Sequence, residues 1–216
     1  MDDLLFYIKA GHPILLNFSW SITGMKILDY QNLVDPGLLQ HIAKHHPLNS
    51  DIASQIDILH VQEKDHIGIR VEMDRSYSVT LTIHPIIRPS ERDMFILYHE
   101  FGHIADRLNP TFNYDQQRRL NLSQAQEECF VQLWNVFIDA RLHHHSLFCL
   151  PSAGEVDIVV DGIKYRLPRT EISTYLLEAC AHLSQRGIRK PGALITDIWN
   201  NPQRFLTFED LLAPLN

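Results

Sequence analysis

A histidine pair four residues apart, with a glutamate directly after the first histidine, constrains this chain more than any other feature. His99, Glu100 and His103 spell H-E-x-x-H within residues 95–108. Residues four apart on an α-helix lie on one face, about one turn from each other, so both imidazole rings can reach a single point. The pattern therefore requires a helix here and predicts a metal ion between the two rings.

The residues around the motif favour a helix that is packed on a core. Ser90 is a suitable N-cap, and Asn109-Pro110 would end the helix. Apolar residues recur between these points at helical spacing. They are Leu97, Phe101, Ile104, Ala105 and Leu108. The competing interpretation is a pair of core histidines without a metal, since the chain contains 13 histidines in 216 residues.

The expected metal is one zinc ion per chain, because two imidazoles and an open position suit catalytic zinc. Glu100 lies on the adjoining flank of the helix, where its carboxylate can reach a zinc-bound water without binding the metal itself. Two ligands, a polarised water and a general base together predict a hydrolytic centre.

The motif resembles the active-site helix of the zincin superfamily of metallopeptidases, and the resemblance covers about residues 70–145. It implies a zinc-dependent metalloendopeptidase that hydrolyses peptide bonds, with Glu100 as the general base. It also implies a sheet before the helix whose edge strand aligns the substrate. The longer metzincin pattern is not present, because neither its second glycine nor its third histidine follows Gly102 at the required spacing.

A third protein ligand is expected from the next helix, since catalytic zinc usually has three protein ligands and a water. Ser123 and Gln126 form a capping-box pattern that predicts the start of a helix reaching about residue 144. Four polar residues form a stripe along it that faces either a site or solvent. They are Glu128, Gln132, Asn135 and Asp139.

Asp139 and Glu128 compete for the position of third ligand. Glu128 begins an E-x-F-x-Q stretch that is similar to the glutamate helix of gluzincin-type enzymes. Asp139 lies in an N-x-x-x-D-x-R stretch that resembles predicted metallopeptidases found beside von Willebrand-type proteins. Those families usually carry an acid at the position that Ile138 occupies here.

Two other residues near these candidates, Glu127 and His143, also satisfy the spacing. The acid that does not bind the metal is expected to accept the other ring N–H of His99 or His103 and so fix its tautomer. Asn135 suits the same supporting role.

Period-two alternation in residues 67–71 and 79–83 predicts an antiparallel pair of strands before the metal-binding helix. Residues 156–160 and 163–167 predict a hairpin closed by a two-residue turn at Asp161-Gly162. A helix is expected to follow from about residue 169 to residue 185.

The predicted fold is therefore α+β and zincin-like: a small antiparallel sheet, the active-site helix, a second ligand-bearing helix and a C-terminal hairpin-helix extension. Residues 1–150 would form the metallopeptidase domain, within which residues 1–66 have no assigned role. Residues 151–216 would form the extension packed on it.

Composition narrows the classes of partner. A net charge of −7 and a pI near 6.0 argue against nucleic acid, which requires a basic surface. Three scattered cysteines favour a reducing, cytoplasmic compartment. No apolar run reaches the length of a membrane span, and the acidic N-terminus is unlike a signal peptide. The expected partner is a peptide or protein substrate, and the sequence does not indicate an oligomeric state.

One alternative function comes from a different class. The same fold could serve as a regulatory or binding module that recognises one protein target, with restricted proteolysis or none. The sequence does not separate such a module from a general peptidase.

Overall fold

The structure is a computed structural model that describes residues 19–22, 25–29, 33–63, 68–72, 78–83, 91–148, 154–160, 163–168 and 171–215. These residues combine helices with two small sheets. The strands are β1 (Ser19–Ile22), β2 (Met25–Asp29), β3 (Ile58–Glu63), β4 (Gly68–Glu72), β5 (Ser78–Ile83), β6 (Glu155–Val160) and β7 (Ile163–Pro168). The helices are α1 (Pro36–His45), α2 (Ile52–Gln55), α3 (Glu91–Leu108), α4 (Gln116–Leu120), α5 (Gln124–His144), α6 (Ile172–Gln185), α7 (Pro191–Asn200) and α8 (Phe208–Leu212).

The first sheet has the strand order β1-β2-β3-β5-β4. The predicted antiparallel pair is confirmed as β4 and β5, with Gly68 opposite Thr82 and Glu72 opposite Ser78. Its turn lies outside the described residues. The prediction of an antiparallel sheet was wrong in one respect, because β2, β3 and β5 run parallel. The chain passes through α1 and α2 between β2 and β3, and through β4 between β3 and β5, so local spacing did not reveal the parallel partners.

Two apolar cores flank α3. The first lies between the sheet and helices α1, α2 and α3, and it includes the fully buried Leu97, Phe101 and Ile104 of α3. The second is built around α5, with α6, α7 and α8 packed on it. One face of α3 therefore packs on the first core, with the sheet, and another face of the same helix packs against α5.

The predicted start of α5 is confirmed, since Ser123 and Gln126 form a capping box. The predicted hairpin is confirmed as β6 paired with β7, and the helix after it as α6. The turn of the β6–β7 hairpin lies outside the described residues, and so does Ser90, the expected N-cap of α3. The domain boundary near residue 150 stays a prediction. None of the described helices has both the length and the apolar character needed to cross a bilayer.

A glycine allows α3 and α5 to approach closely. A Cβ atom added to Gly102 would lie 2.6 Å from Cγ2 of Ile138 on α5. Atoms of that kind do not approach so near, so any larger residue would force the helices apart. Gly102 lies between the two histidines of the motif, which means that this contact sets the distance from the motif to α5.

A buried carboxylate fixes the same two helices at a second level. Asp106 of α3 is almost fully buried, and it accepts two hydrogen bonds from Arg141 of α5, at 2.8 and 2.7 Å. The indole N–H of Trp134 donates a third, at 2.7 Å. A bidentate arginine pair is directional as well as strong. Rotation of α5 about its axis would break all three bonds.

His46, at the end of α1, connects that helix to α3. Its Nε2 donates to the carbonyl of Tyr98 at 2.8 Å, and its Nδ1 accepts from the backbone N–H of Leu48 at 3.3 Å. One nitrogen donates and the other accepts, which is the hydrogen-bonding pattern of a neutral imidazole ring. Burial lowers the pKa of His46 to about 4, despite the favourable bond to Tyr98.

We expect Gly102→Ala to destabilise the protein. The overpacking cost of about 1–3 kcal/mol exceeds the gain of roughly 1 kcal/mol in helix propensity. Chemical denaturation measures the difference. Gly192→Ala is the matched control, because that helical glycine has open space around it. Ile138→Ala should reduce the penalty in the double variant, and strictly additive losses would contradict the close contact.

We also expect His46 to make stability depend on pH. The unfolded ring binds a proton below pH 6.5, whereas the folded ring resists protonation until about pH 4. Stability is therefore lost as pH falls through that window, by about 3 kcal/mol. Unfolding free energies of wild type and His46→Gln should converge as pH falls from 7 to 4. His41→Gln, on the exposed side of α1, is the control, and an unchanged difference across this range would contradict the role.

Candidate metal centre

Helix α3 brings the two motif histidines together. The ring centroids of His99 and His103 are 5.0 Å apart, with the rings at 77° to each other. Both rings lie against α5, where hydrogen bonding with the side chain of Asn135 acts to raise the pKa of each ring. The spacing of the motif therefore produces the predicted pair on one helical face.

Asp139 and Tyr175 fix the orientation of His99. Nδ1 of His99 lies 2.5 Å from Oδ1 of Asp139, and the hydroxyl of Tyr175 donates to Oδ2 at 2.6 Å. A carboxylate only accepts, so Nδ1 carries a hydrogen, and in the neutral form of the ring Nε2 is left as the nitrogen that can bind a metal. Burial disfavours a charge on the ring, but the carboxylate outweighs it and raises the pKa of His99 to about 9.

His103 has a different environment. Its ring packs edge-on against the indole of Trp134, with centroids 4.4 Å apart. Its Nδ1 is buried and has no hydrogen-bond partner among the described residues. Burial, followed by the positive charges of His99 and Arg107, lowers the pKa of His103 well below its usual value. The ring is therefore neutral at ordinary pH, as a metal ligand must be.

Glu100 lies beside the pair at the edge of a cavity. Burial raises the pKa of its carboxyl group, while the charges of His99 and Arg107 oppose that rise. A carboxyl group of this kind exchanges protons more readily near neutral pH than an exposed one does.

The residues fit a metal in part. The buried, unpartnered nitrogen of His103 and the oriented ring of His99 are two donors of the type that zinc prefers. Within the described ranges, no three side chains of His, Cys, Asp or Glu are grouped closely enough to hold an ion. No third ligand is therefore in place among the described residues, and Asp139 contacts Nδ1 of His99, as an orienting acid would.

Glu128, the other candidate for third ligand, is not brought to the histidines. It forms an ion pair with Arg186 and accepts a hydrogen bond from Gln124 at 3.1 Å. The remaining alternatives are also engaged elsewhere: Glu127 pairs with Arg119, and His143 stacks on Trp199. A metal-binding role for Glu128 stays a prediction.

The cavity beside His99 and Glu100 has a volume of about 600 Å³. Gln132, Asn135 and Asp139 line it, so most of the polar stripe on α5 faces this site rather than open solvent. Apolar walls come from Phe95, Phe148 and the hairpin strand β6. The cavity can hold several residues of an extended peptide.

Helix α6 contributes polar residues that sequence reasoning missed. Tyr175, Glu178 and His182 all line the cavity. Their offsets of three and four residues place them on one helical face. That spacing is visible in the sequence, but the sequence alone does not show that this face of α6 meets the histidine pair.

Two arginines and the aromatic rings of Tyr114 and Trp134 form a group beyond His103. The guanidinium carbon of Arg107 is 4.8 Å from the ring centroid of Tyr114 and 5.5 Å from that of Trp134. Arg119 lies on the other side, bonded to Glu127 at 2.9 Å and to the Tyr114 hydroxyl at 3.4 Å. The site thus has acids toward α6 and arginines toward α4.

Comparison of this chain with protein-family models, curated protein sequences and solved structures gives no match. Any function must therefore be inferred from the site itself.

We expect Asp139→Asn to weaken zinc binding about 10–100-fold, because the carboxylate orients His99 and increases its basicity. Tyr175→Phe should have the same effect, to a smaller degree. Competition with a fluorescent chelator measures both affinities, and Tyr165→Phe, an exposed tyrosine, is the control. Unchanged affinity in both variants would contradict the role of Asp139 and Tyr175 in orienting His99. A loss far beyond a hundredfold in Asp139→Asn alone would place that carboxylate on the metal.

Proposed function

We propose that this protein is a zinc-dependent peptidase whose metal is held by His99 and His103. The observation that carries the proposal is the buried, unpartnered nitrogen of His103 beside a His99 ring that Asp139 orients. A buried nitrogen without a partner is costly, and coordination of a cation would satisfy it. In a pair of core histidines without a metal, that nitrogen of His103 would stay unsatisfied.

A zinc ion held by these rings would act as a Lewis acid toward a peptide carbonyl and a water molecule. Glu100 then takes a proton from the water as it attacks the carbonyl carbon. The same carboxyl group delivers that proton to the nitrogen of the leaving amine. Burial raises the pKa of this carboxyl group, which favours the first transfer and lets the group hold the proton until the amine leaves.

The surroundings support a zincin-like arrangement. β4 is the antiparallel edge strand of the five-stranded sheet and packs near α3. An edge strand beside a metal-binding helix can receive an extended peptide through main-chain hydrogen bonds. The cavity of about 600 Å³ next to Glu100 offers space for the side chains of that peptide.

A second candidate is a binding module without hydrolytic activity. It is favoured by one observation: the described residues do not bring a third ligand to the histidine pair. Two ligands hold zinc less firmly than three, so such a protein could use the cavity to recognise a partner protein instead.

We expect the purified protein to contain one zinc ion per chain and to cleave peptides from a diverse library. Glu100→Gln should keep the zinc and lose activity by at least about a hundredfold, because the proton carrier is removed. His99→Ala and His103→Ala should lose both. Metal analysis and mass spectrometry of the digests are the measurements, and His41→Ala is the control.

Two results would overturn parts of this proposal. Full peptidase activity in Glu100→Gln would exclude the proposed proton transfer. Protein that holds zinc, cleaves no peptide and captures a single protein partner would favour the binding module.

A further inference from the structure

Arg107 lies on the same face of α3 as the catalytic motif. It follows His103 by four residues and His99 by eight, so the three side chains form one row along the helix. Neighbouring members of the row are four residues apart, which is slightly more than one helical turn, or about 6 Å along the axis. Glu100 lies on the adjoining flank, and the charges of Glu100 and Arg107 influence each other.

The guanidinium of Arg107 has one nitrogen that is left without a partner among the described residues. This nitrogen is Nε, which is buried and makes no hydrogen bond within the described part of the chain. The nearest acid in sequence, Asp106, is already bonded to Arg141 and Trp134. The rings of Tyr114 and Trp134 lie against the guanidinium group, and Nε donates to none of the described residues.

Arg119 is different from Arg107, although both contact the same aromatic rings. Arg119 is neutralised by Glu127, through contacts of 2.9 and 2.8 Å. Arg107 is the more buried of the two, and burial lowers the pKa of its guanidinium. A buried guanidinium nitrogen without a hydrogen-bond partner is expensive, so its presence next to the proposed reaction centre calls for an explanation.

We propose that Arg107, supported by Tyr114, binds a carboxylate of the substrate one helical turn from the metal-binding pair. A carboxylate would supply the planar, bidentate acceptor that a guanidinium matches best. The substrate is then a peptide with an anionic group close to the scissile bond, either the C-terminal carboxylate or the side chain of Asp or Glu. This inference rests on the proposed peptidase function, but the binding step can be measured without catalysis.

The binding test uses zinc-loaded, ¹⁵N-labelled protein and two pairs of small probes. N-acetylalanine and its amide test a C-terminal carboxylate, and N-acetylglutamate α-amide and N-acetylglutamine amide test a side-chain carboxylate. The indole N–H resonance of Trp134 reports binding, because that ring contacts Arg107. We expect a carboxylate probe to shift this resonance and its neutral partner to bind about tenfold to a hundredfold more weakly.

Arg107→Met should remove that preference. Arg118→Met is the matched control, because it removes one positive charge from an exposed arginine on α4 without touching the aromatic group. Circular dichroism and thermal melting check that each variant folds. If Arg107→Met does not fold, Arg107→Lys decides, since lysine keeps the charge without the planar fork and should bind the carboxylate several-fold more weakly.

The outcomes separate the two proposals. Equal binding of acid and amide probes, or a preference that survives in both Arg107 variants, would overturn the carboxylate site whatever the activity of the protein. For any peptide that the enzyme cleaves, Arg107→Met should raise KM for the carboxylate form but not for its neutral counterpart. Cleavage without that difference would overturn this inference and leave the peptidase proposal intact.

Discussion

The close contact between α3 and α5 is the constraint on which the site depends. Gly102 lets the helices approach, and Asp106 locks their rotation through Arg141 and Trp134. The residues that do this alternate along α3 with the motif itself. The helix that carries the histidines is thus held by its own intervening residues, so the position of the rings and the packing of the core cannot be separated.

This arrangement distributes charge unevenly around the histidine pair. His99 faces a carboxylate that is itself held by Tyr175, whereas His103 faces an indole and an arginine. One ring is favoured in a charged form, and the other is kept neutral. The two imidazoles of one short motif therefore have opposite electrostatic surroundings, although their sequence environment is the same apolar helix.

The parts of the fold set by local spacing could be predicted from the sequence. Helices α3 and α5, the β4–β5 pair and the β6–β7 hairpin all have periodic patterns or turn signals within a short window. The parallel pairing of β2 with β3 could not be predicted, since its partners are separated by two helices. Parallel pairing of this kind leaves no mark on neighbouring residues.

In the candidate site, too, local spacing predicted some of the residues and not others. His99, Glu100 and His103 were predictable from their spacing, and the polar stripe pointed to Asp139. Tyr175 was missed because it arrives from a helix more than 70 residues beyond the motif, through tertiary packing alone. Glu128 fitted a ligand by sequence spacing, but it lies three helical turns from Asp139, beside Arg186. Spacing along one helix defines a face, and it does not define how far along that face a cleft extends.

Tyr98 packs against both apolar cores, and Leu48 does the same. The backbone carbonyl of Tyr98 also accepts the hydrogen bond from His46, and the next residue in the chain is His99. Any small shear between the sheet layer and the helical layer therefore displaces Tyr98. A molecule that wedges the two layers apart, at a distance from the cleft, would thus tilt the ring of His99 without entering the cavity.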